Sequence, residues 1–422
     1  MFQSKSGREG AFDAGGQRGD DAASHSRHHP KLDVINGLRG LAICGVIWHH
    51  LFALYFAPGS GFYRFGGSSA PYFLLAYGWI GVQLFFLLSG FVLFLPVAQG
   101  RVLLASRQDW LTFYRRRAQR LLPLYYIVAV LCVVLNQDAP VHQGKFLLEL
   151  VAIAGALFTF APHGFEPHFN PPLWSLGVEI WFSILFPAIA LGMRRLGGAR
   201  LLAITLAIAW ISRSLGNLLP APAGSAMGIL PLTIGLPASL SIFVAGMILA
   251  QLYATRPRGV PLVQRPGLVL GAAAILLVAA IWVQQPPFAS LAGAVLFPDA
   301  LTLGFALAVA ALLSLPPGPL KSVFANRPIQ VLGMMCFSLY VWHEPLLRHV
   351  FKADIAPLDG LAWTLPAYLV LLLALSALSY RYIEFGRTAD WRALFLIGRR
   401  ATVAAVTPSA RVADQTAREA SL

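Results

Sequence analysis

The sequence predicts an all-α integral membrane protein of about ten transmembrane helices, with both termini cytoplasmic and one short re-entrant or interfacial helix. Three observations carry this expectation. Hydrophobic residues are 57% and charged residues only 12% of the 422, with a mean hydropathy of +0.66, more apolar than a soluble domain needs to fill its core. Apolar runs long enough to cross a ~30 Å hydrocarbon layer recur along the chain. Arginine and lysine fall in short clusters between alternate runs, the asymmetry that orients membrane proteins.

Residues 1–30 mix Gly, Ser, Asp, Arg and His with no apolar centre, so a disordered cytoplasmic tail is expected rather than a signal peptide. His25, His28 and His29 could bind metal adventitiously. Spans follow near 34–56, 72–97, 121–138, 173–193, 201–219, 232–254, 267–284, 291–315, 330–350 and 361–383. The stretch 146–161 is short for a span and is followed by His, Pro and Asn, so it is assigned as the re-entrant or interfacial piece. Residues 31–387 thus form one membrane domain. The segment 388–422 is a cytoplasmic tail in which Trp391–Arg400 can lie along the inner leaflet.

Charge supports this count. Ten spans with the N-terminus inside place Arg101, Arg107, Arg115, Arg116, Arg117, Arg120, Arg194, Arg195, Arg200, Arg256, Arg258, Arg265, Lys321 and Arg327 on the cytoplasmic side, whereas an eleventh span would export Arg194, Arg195 and Arg200. The net charge of +14 therefore belongs to loops, and nucleic acid is not an expected partner. The three cysteines, Cys44, Cys132 and Cys336, lie in apolar stretches without metal-ligand spacing, so neither a disulfide nor a bound metal is expected.

Ionisable residues inside the apolar runs mark the candidate site. Arg39 and His50 are eleven residues apart, which returns them to nearly one helix face, about 16 Å apart along the axis. Helix rise puts His50 about 24 Å above an inner start near Val34. Glu179 falls about 9 Å below an outer start near Leu173, and His343 about 20 Å above an inner start near Gln330. His50, Glu179 and His343 are therefore expected to share one level in the outer half. On the inner side Arg117 and Arg120, at i and i+3, present one basic face.

Blander readings stand beside these. Glu179 can be a structural carboxylate bonded to Trp174 or Ser175. The arginine run can be only a topology signal, and His343 with Glu344 an outer polar cap. His49 and the Ser89-Gly90 pair fit helix packing. Taken together, an outer imidazole and carboxylate opposite an inner arginine cluster suit transfer of a group from a phosphate-bearing cytosolic donor to a far-side acceptor.

These segments resemble the membrane-bound acyltransferase-3 family. The resemblance covers about residues 31–387 and is carried by Gly37-Leu38-Arg39 with its spacing to His50, by Gly81-Val82-Gln83-Leu84-Phe85-Phe86 through Ser89-Gly90-Phe91, and by Arg115 to Pro123. Trp174-Ser175-Leu176 through Glu179, Ser338-Leu339-Tyr340 through His343, and Tyr382-Ile383-Glu384 complete it. Two positions depart: Gln83 stands where an acidic residue is common, and Phe385 where proline is.

The resemblance implies an O-acyltransferase that moves an acyl group, most commonly acetyl, from cytosolic acyl-CoA to a hydroxyl of an exported carbohydrate or lipid-linked glycan. By it His50 is the essential histidine, Arg39 its partner, and Arg117 with Arg120 the CoA-side pair. The expected catalytic set is His50, Glu179 and Arg39, with Arg116, Arg117 and Arg120 holding the donor and Trp174, Ser175, Tyr340 and His343 lining the site. No permanently bound cofactor is expected, acyl-CoA (most simply acetyl-CoA) being a substrate. The expected partners are the bilayer, the glycan acceptor and glycan-assembly proteins. The chain shows no hydrolase-like domain after its last span, so transfer is expected to finish within the membrane unit or with a separate partner. The expected location is the inner, cytoplasmic membrane. The alternative from another class is a proton-coupled secondary transporter using the same His and Glu residues, for which the sequence offers no paired inverted repeats.

Overall fold

A computed structural model describes residues 32–55, 77–135, 146–167, 170–220, 228–257, 259–284, 290–351, 361–385 and 395. The expected tail 1–30 and nearly all of 388–422, including the interfacial segment, lie outside them. The regular elements among the described residues are all helices, without a strand. The labelled helices are α1 (Leu32–Tyr55), α2 (Gly81–Ala98, entered by a tight turn at Tyr77–Ile80), α3 (Arg107–Leu135), α4 (Phe146–Ala154), α5 (Leu173–Leu196), α6 (Gly198–Leu218), α7 (Leu236–Thr255), α8 (Pro266–Val283), α9 (Leu291–Ser314), α10 (Pro319–Ala325), α11 (Arg327–Met334), α12 (Cys336–Pro345) and α13 (Leu361–Ser379).

Among the described residues eight helices are long and apolar enough to cross a membrane, rather than ten. The other two expected spans, 34–56 and 330–350, carry polar residues. In α1 the 24-residue helix is present, but Asn36, Arg39, His49 and His50 dilute its apolar character. The run 330–350 is not one helix. It breaks at Met335 between α11 and α12, and after Pro345 the residues Leu346–Val350 form a π-turn. Proline has no N–H to bond the carbonyl four residues back, which loosens the helix at this point, and such π-turns gather at functional sites. Polar groups thus concentrate in the two segments expected to supply His50 and His343. The helix α4 has nine residues, too few to span, as expected of the re-entrant or interfacial stretch.

The basic cluster lies on a helix that starts earlier than hydropathy alone indicates. At its start Ser106 Oγ accepts from the Asp109 N–H (3.1 Å) while Asp109 Oδ2 accepts from the Ser106 N–H (2.9 Å), a reciprocal capping arrangement. Arg116, Arg117 and Arg120 are therefore helical and fixed in direction before the apolar stretch begins.

Small residues hold the bundle centre together. A Cβ on Gly90 of α2 would lie 2.0 Å from the Phe243 carbonyl of α7, and one on Gly246 would lie 1.9 Å from the Leu87 carbonyl. The two backbones touch, as small residues permit between membrane helices. A like contact joins α1 to α11, where a Cβ on Gly333 would lie 1.8 Å from the Asn36 carbonyl. Buried side chains including Phe86, Phe91, Phe182, Phe186 and Phe243 fill the space around these crossings.

Candidate active site

At the end of the bundle expected to face inward is a cavity of about 450 Å³ between α1, α2, α3 and α5, lined by Arg39, Arg116, Arg117, Arg120 and Glu179 among others. It adjoins a narrower chamber of about 60 Å³ that shares Arg39, Ser89, Arg117, Arg120 and Glu179 and reaches Cys336, Ser175 and Tyr340. Arg117 Nη2 donates to Glu179 Oε1 at 2.8 Å and to Ser183 Oγ at 3.1 Å, and Ser89 Oγ donates to the same Glu179 oxygen at 3.3 Å. Arg39 lies beside the Cys336 thiol, in the field of Glu179 and Glu384. Glu384 accepts from Ser338 Oγ, and the Arg120 guanidinium sits over the Phe385 ring at 5.9 Å. Arg39, Arg117 and Arg120 face two carboxylates, so the chamber keeps a positive balance, and exposed Arg116 adds to it at the mouth.

At the other end, His50 Nδ1 stands 3.2 Å from Glu344 Oε2, and the His50 and His343 rings are 4.9 Å apart. Glu344 Oε1 accepts from Arg348 Nε at 2.5 Å, one turn on. His343 is fully buried, and its Nδ1 meets the Tyr340 carbonyl at 2.6 Å. That contact requires a proton on Nδ1 and leaves the Nε2 lone pair free. From the loop after α4, Glu166 lies within electrostatic reach of His50 and Arg348.

Tyr340 joins the two ends. Its hydroxyl donates to the Pro172 carbonyl (2.7 Å) and is 2.6 Å from Ser175 Oγ, Tyr340 and Ser175 line the narrow chamber, and the Tyr340 ring is 5.4 Å from that of His343.

The structure brings His50 and His343 together as expected but separates Glu179 from them. Glu179 belongs to the inner chamber with Arg117, and the carboxylate beside His50 is Glu344. The reason lies in where α5 begins. Pro345 lacks the N–H that would bond the Val341 carbonyl, and this carbonyl accepts instead from Asn170 Nδ2 at 3.1 Å. That bond, with the Tyr340 hydroxyl on Pro172, draws the Asn170–Pro172 segment inside, so Leu173 is wholly buried. The helix starts within the protein, not at the outer surface, and a residue about 9 Å further along it is deeper still.

Arg39 also belongs to the inner chamber, at the opposite end of α1 from His50. Trp174 packs its ring against Phe165 (5.4 Å) and Phe86 (6.3 Å). The sequence reading left out Glu344 and Glu384 from the candidate set. Glu344 adjoins His343 in an apolar run, and that adjacency was the available signal; Glu384 becomes significant only through its contacts across the bundle.

A family profile described as an acyltransferase domain, acyltransferase 3, matches residues 32–381. The chain is 25% identical over 379 residues to YrhL of Bacillus subtilis, whose name assigns it peptidoglycan O-acetylation provisionally, covering 85% of this chain and 55% of that protein. It is 24% identical over 390 residues to O-acetyltransferase OatA of Staphylococcus aureus (85% and 57% covered). To peptidoglycan O-acetyltransferase OatA of Listeria monocytogenes it is 23% identical over 371 residues (83% and 54% covered). The chain spans just over half the length of these curated relatives. No solved structure matches it.

Proposed function

The chain belongs to the acyltransferase-3 family, and from that premise we propose that it is a multi-pass O-acyltransferase of the cytoplasmic membrane, with residues 31–387 as its working unit. Its donor is acyl-CoA, acetyl-CoA in the first instance, entering from the cytoplasm. Its acceptor is a hydroxyl of an exported or cell-surface carbohydrate or lipid-linked glycan. The names of the relatives make peptidoglycan the first acceptor to try.

One observation carries this reading. The arginine-lined cavity and the narrow chamber reach Tyr340, whose ring is 5.4 Å from that of His343, so a run of polar groups leads from one end of the bundle towards the His50–His343–Glu344 group, inside helices otherwise packed with apolar side chains. A path of that kind suits a donor whose phosphates remain at the basic mouth while its thioester reaches inward. Arg116, Arg117 and Arg120 supply the phosphate-binding charge, and Glu179 fixes the direction of Arg117.

At the far end His50 takes the proton of the acceptor hydroxyl as general base, and the neighbouring Glu344 carboxylate stabilises the resulting imidazolium, the role first assigned to Glu179. The hydroxyl oxygen bonds to the acyl carbon, the carbon–sulfur bond breaks, and the proton passes to the departing CoA thiolate. Donor and acceptor become CoA and an ester.

The test is transfer of labelled acetyl from acetyl-CoA to glycan fragments by purified full-length protein, against His50→Ala. A loss on the order of 10²-fold or more is expected for removal of a general base. Full transfer by folded His50→Ala protein would remove His50 from the chemistry, and flux of substrate into vesicles without CoA consumption would replace the enzyme by a transporter.

A further inference from the structure

The His50–His343–Glu344 group has features that acid–base chemistry leaves unused. His343 Nε2 is buried and has no hydrogen-bond partner among the described residues. Glu344 Oε2 is likewise unbonded, although it faces His50 Nδ1 at 3.2 Å, at ion-pair distance without hydrogen-bond alignment. Buried polar atoms left unbonded are costly, and here two of them lie close to a ring nitrogen of a third residue.

The chemistry of the set is specific. One potential donor atom from each of His50, His343 and Glu344 lies within 4.8 Å of the others. Two imidazoles and one carboxylate with an open fourth position are a donor set used for zinc, at bond lengths of about 2.0–2.2 Å. Tetrahedral ligands at that distance are about 3.3–3.5 Å from one another, so the His50–Glu344 edge already has the right length and the longest separation must close by about 1.4 Å.

The surroundings also fit. Metal-bound histidines usually donate their second N–H to a carbonyl or carboxylate, which fixes the ring; His343 Nδ1 does this to Tyr340, and Arg348 holds the far oxygen of Glu344 in the same way. The residues are supplied by α1 and α12, and the π-turn after Pro345 sets the adjoining backbone.

We infer that His50, His343 and Glu344 form a binding site for a zinc-type divalent cation, and that an ion bound there blocks acyl transfer. Coordination by Nδ1 puts the neutral ring's proton on Nε2, so His50 has no lone pair with which to accept the proton of a hydroxyl. The binding half stands independently, whereas the blocking half rests on the acyl-transfer reading above.

Binding is measured without donor or acceptor, by titrating purified, metal-stripped full-length protein with Co²⁺ and following its visible absorption, then displacing it with Zn²⁺. One equivalent with the intense bands of a four-coordinate ion is expected. His343→Gln and Glu344→Gln should each weaken binding at least tenfold, with thermal melting confirming that both are folded. Changing His25, His28 and His29 together to Gln should leave the site intact. Absence of saturable binding, unaltered binding in both folded site variants, or loss of binding in the tail variant would each overturn the site. Inhibition is read separately: labelled-acetyl transfer should fall over the Zn²⁺ range that fills the site and return with a chelator. Transfer that is unaffected or accelerated at full occupancy would overturn the blocking role while leaving the binding result in place.

Discussion

Glu179 and Glu344 occupy opposite ends of the polar path, so separate substitutions should divide the kinetic steps between them. Glu344→Gln keeps the shape but removes the charge beside His50, and kcat should fall with little change in KM for acetyl-CoA. Glu179→Gln releases Arg117, held at 2.8 Å, and should raise KM for acetyl-CoA with kcat largely retained. Steady-state kinetics over both substrates distinguishes the patterns; equal effects on both constants from both variants would remove the division. At this scale the sequence disclosed His50, His343 and the arginines because ionisable groups are conspicuous in apolar runs. It misplaced Glu179 because depth counted from a span end assumes that the end lies at the surface. The interior start of α5 depends on Asn170 meeting Val341, a contact that no local pattern encodes.

Among the elements, α2 with α7 and α12 with its π-turn are the most exacting. Gly246→Val would drive a side chain into the Leu87 carbonyl, where even a Cβ has only 1.9 Å. Overpacking of this kind typically costs about 1–3 kcal/mol, so a lower melting temperature and a smaller folded yield are expected by size exclusion and thermal melting. Pro345→Ala restores the missing N–H, which lets α12 reclaim the Val341 carbonyl from Asn170. Loss of transfer without loss of folded yield is the expected result, because the start of α5 and the direction of His343 both depend on that break. The helices themselves were largely legible from apolar length: α5 to α9 lie within a few residues of their expected limits. The break at Met335 was not, since nothing about Met335-Cys336 in isolation stops a helix.

For the molecule as a whole, hydropathy identified the membrane class and the order of segments, and eight of the expected spans meet length and apolarity among the described residues. The positive-inside distribution of arginines predicts that the α2–α3 connection faces the cytoplasm. A cysteine introduced at exposed Leu103, with Cys44, Cys132 and Cys336 replaced by Ala, should react with an impermeant maleimide only in inverted vesicles. Reaction in right-side-out vesicles would reverse the proposed direction of transfer. The bond from Asn170 to Val341 crosses 171 residues, and this separation bears on biogenesis. While the ribosome is still making the C-terminal third, the Asn170 amide has no carbonyl to meet, so α5 must wait in an unfinished register. Active geometry is therefore acquired late, when the last segments enter the bilayer, and a nascent chain released before Val341 should be membrane-inserted yet unable to assemble the path.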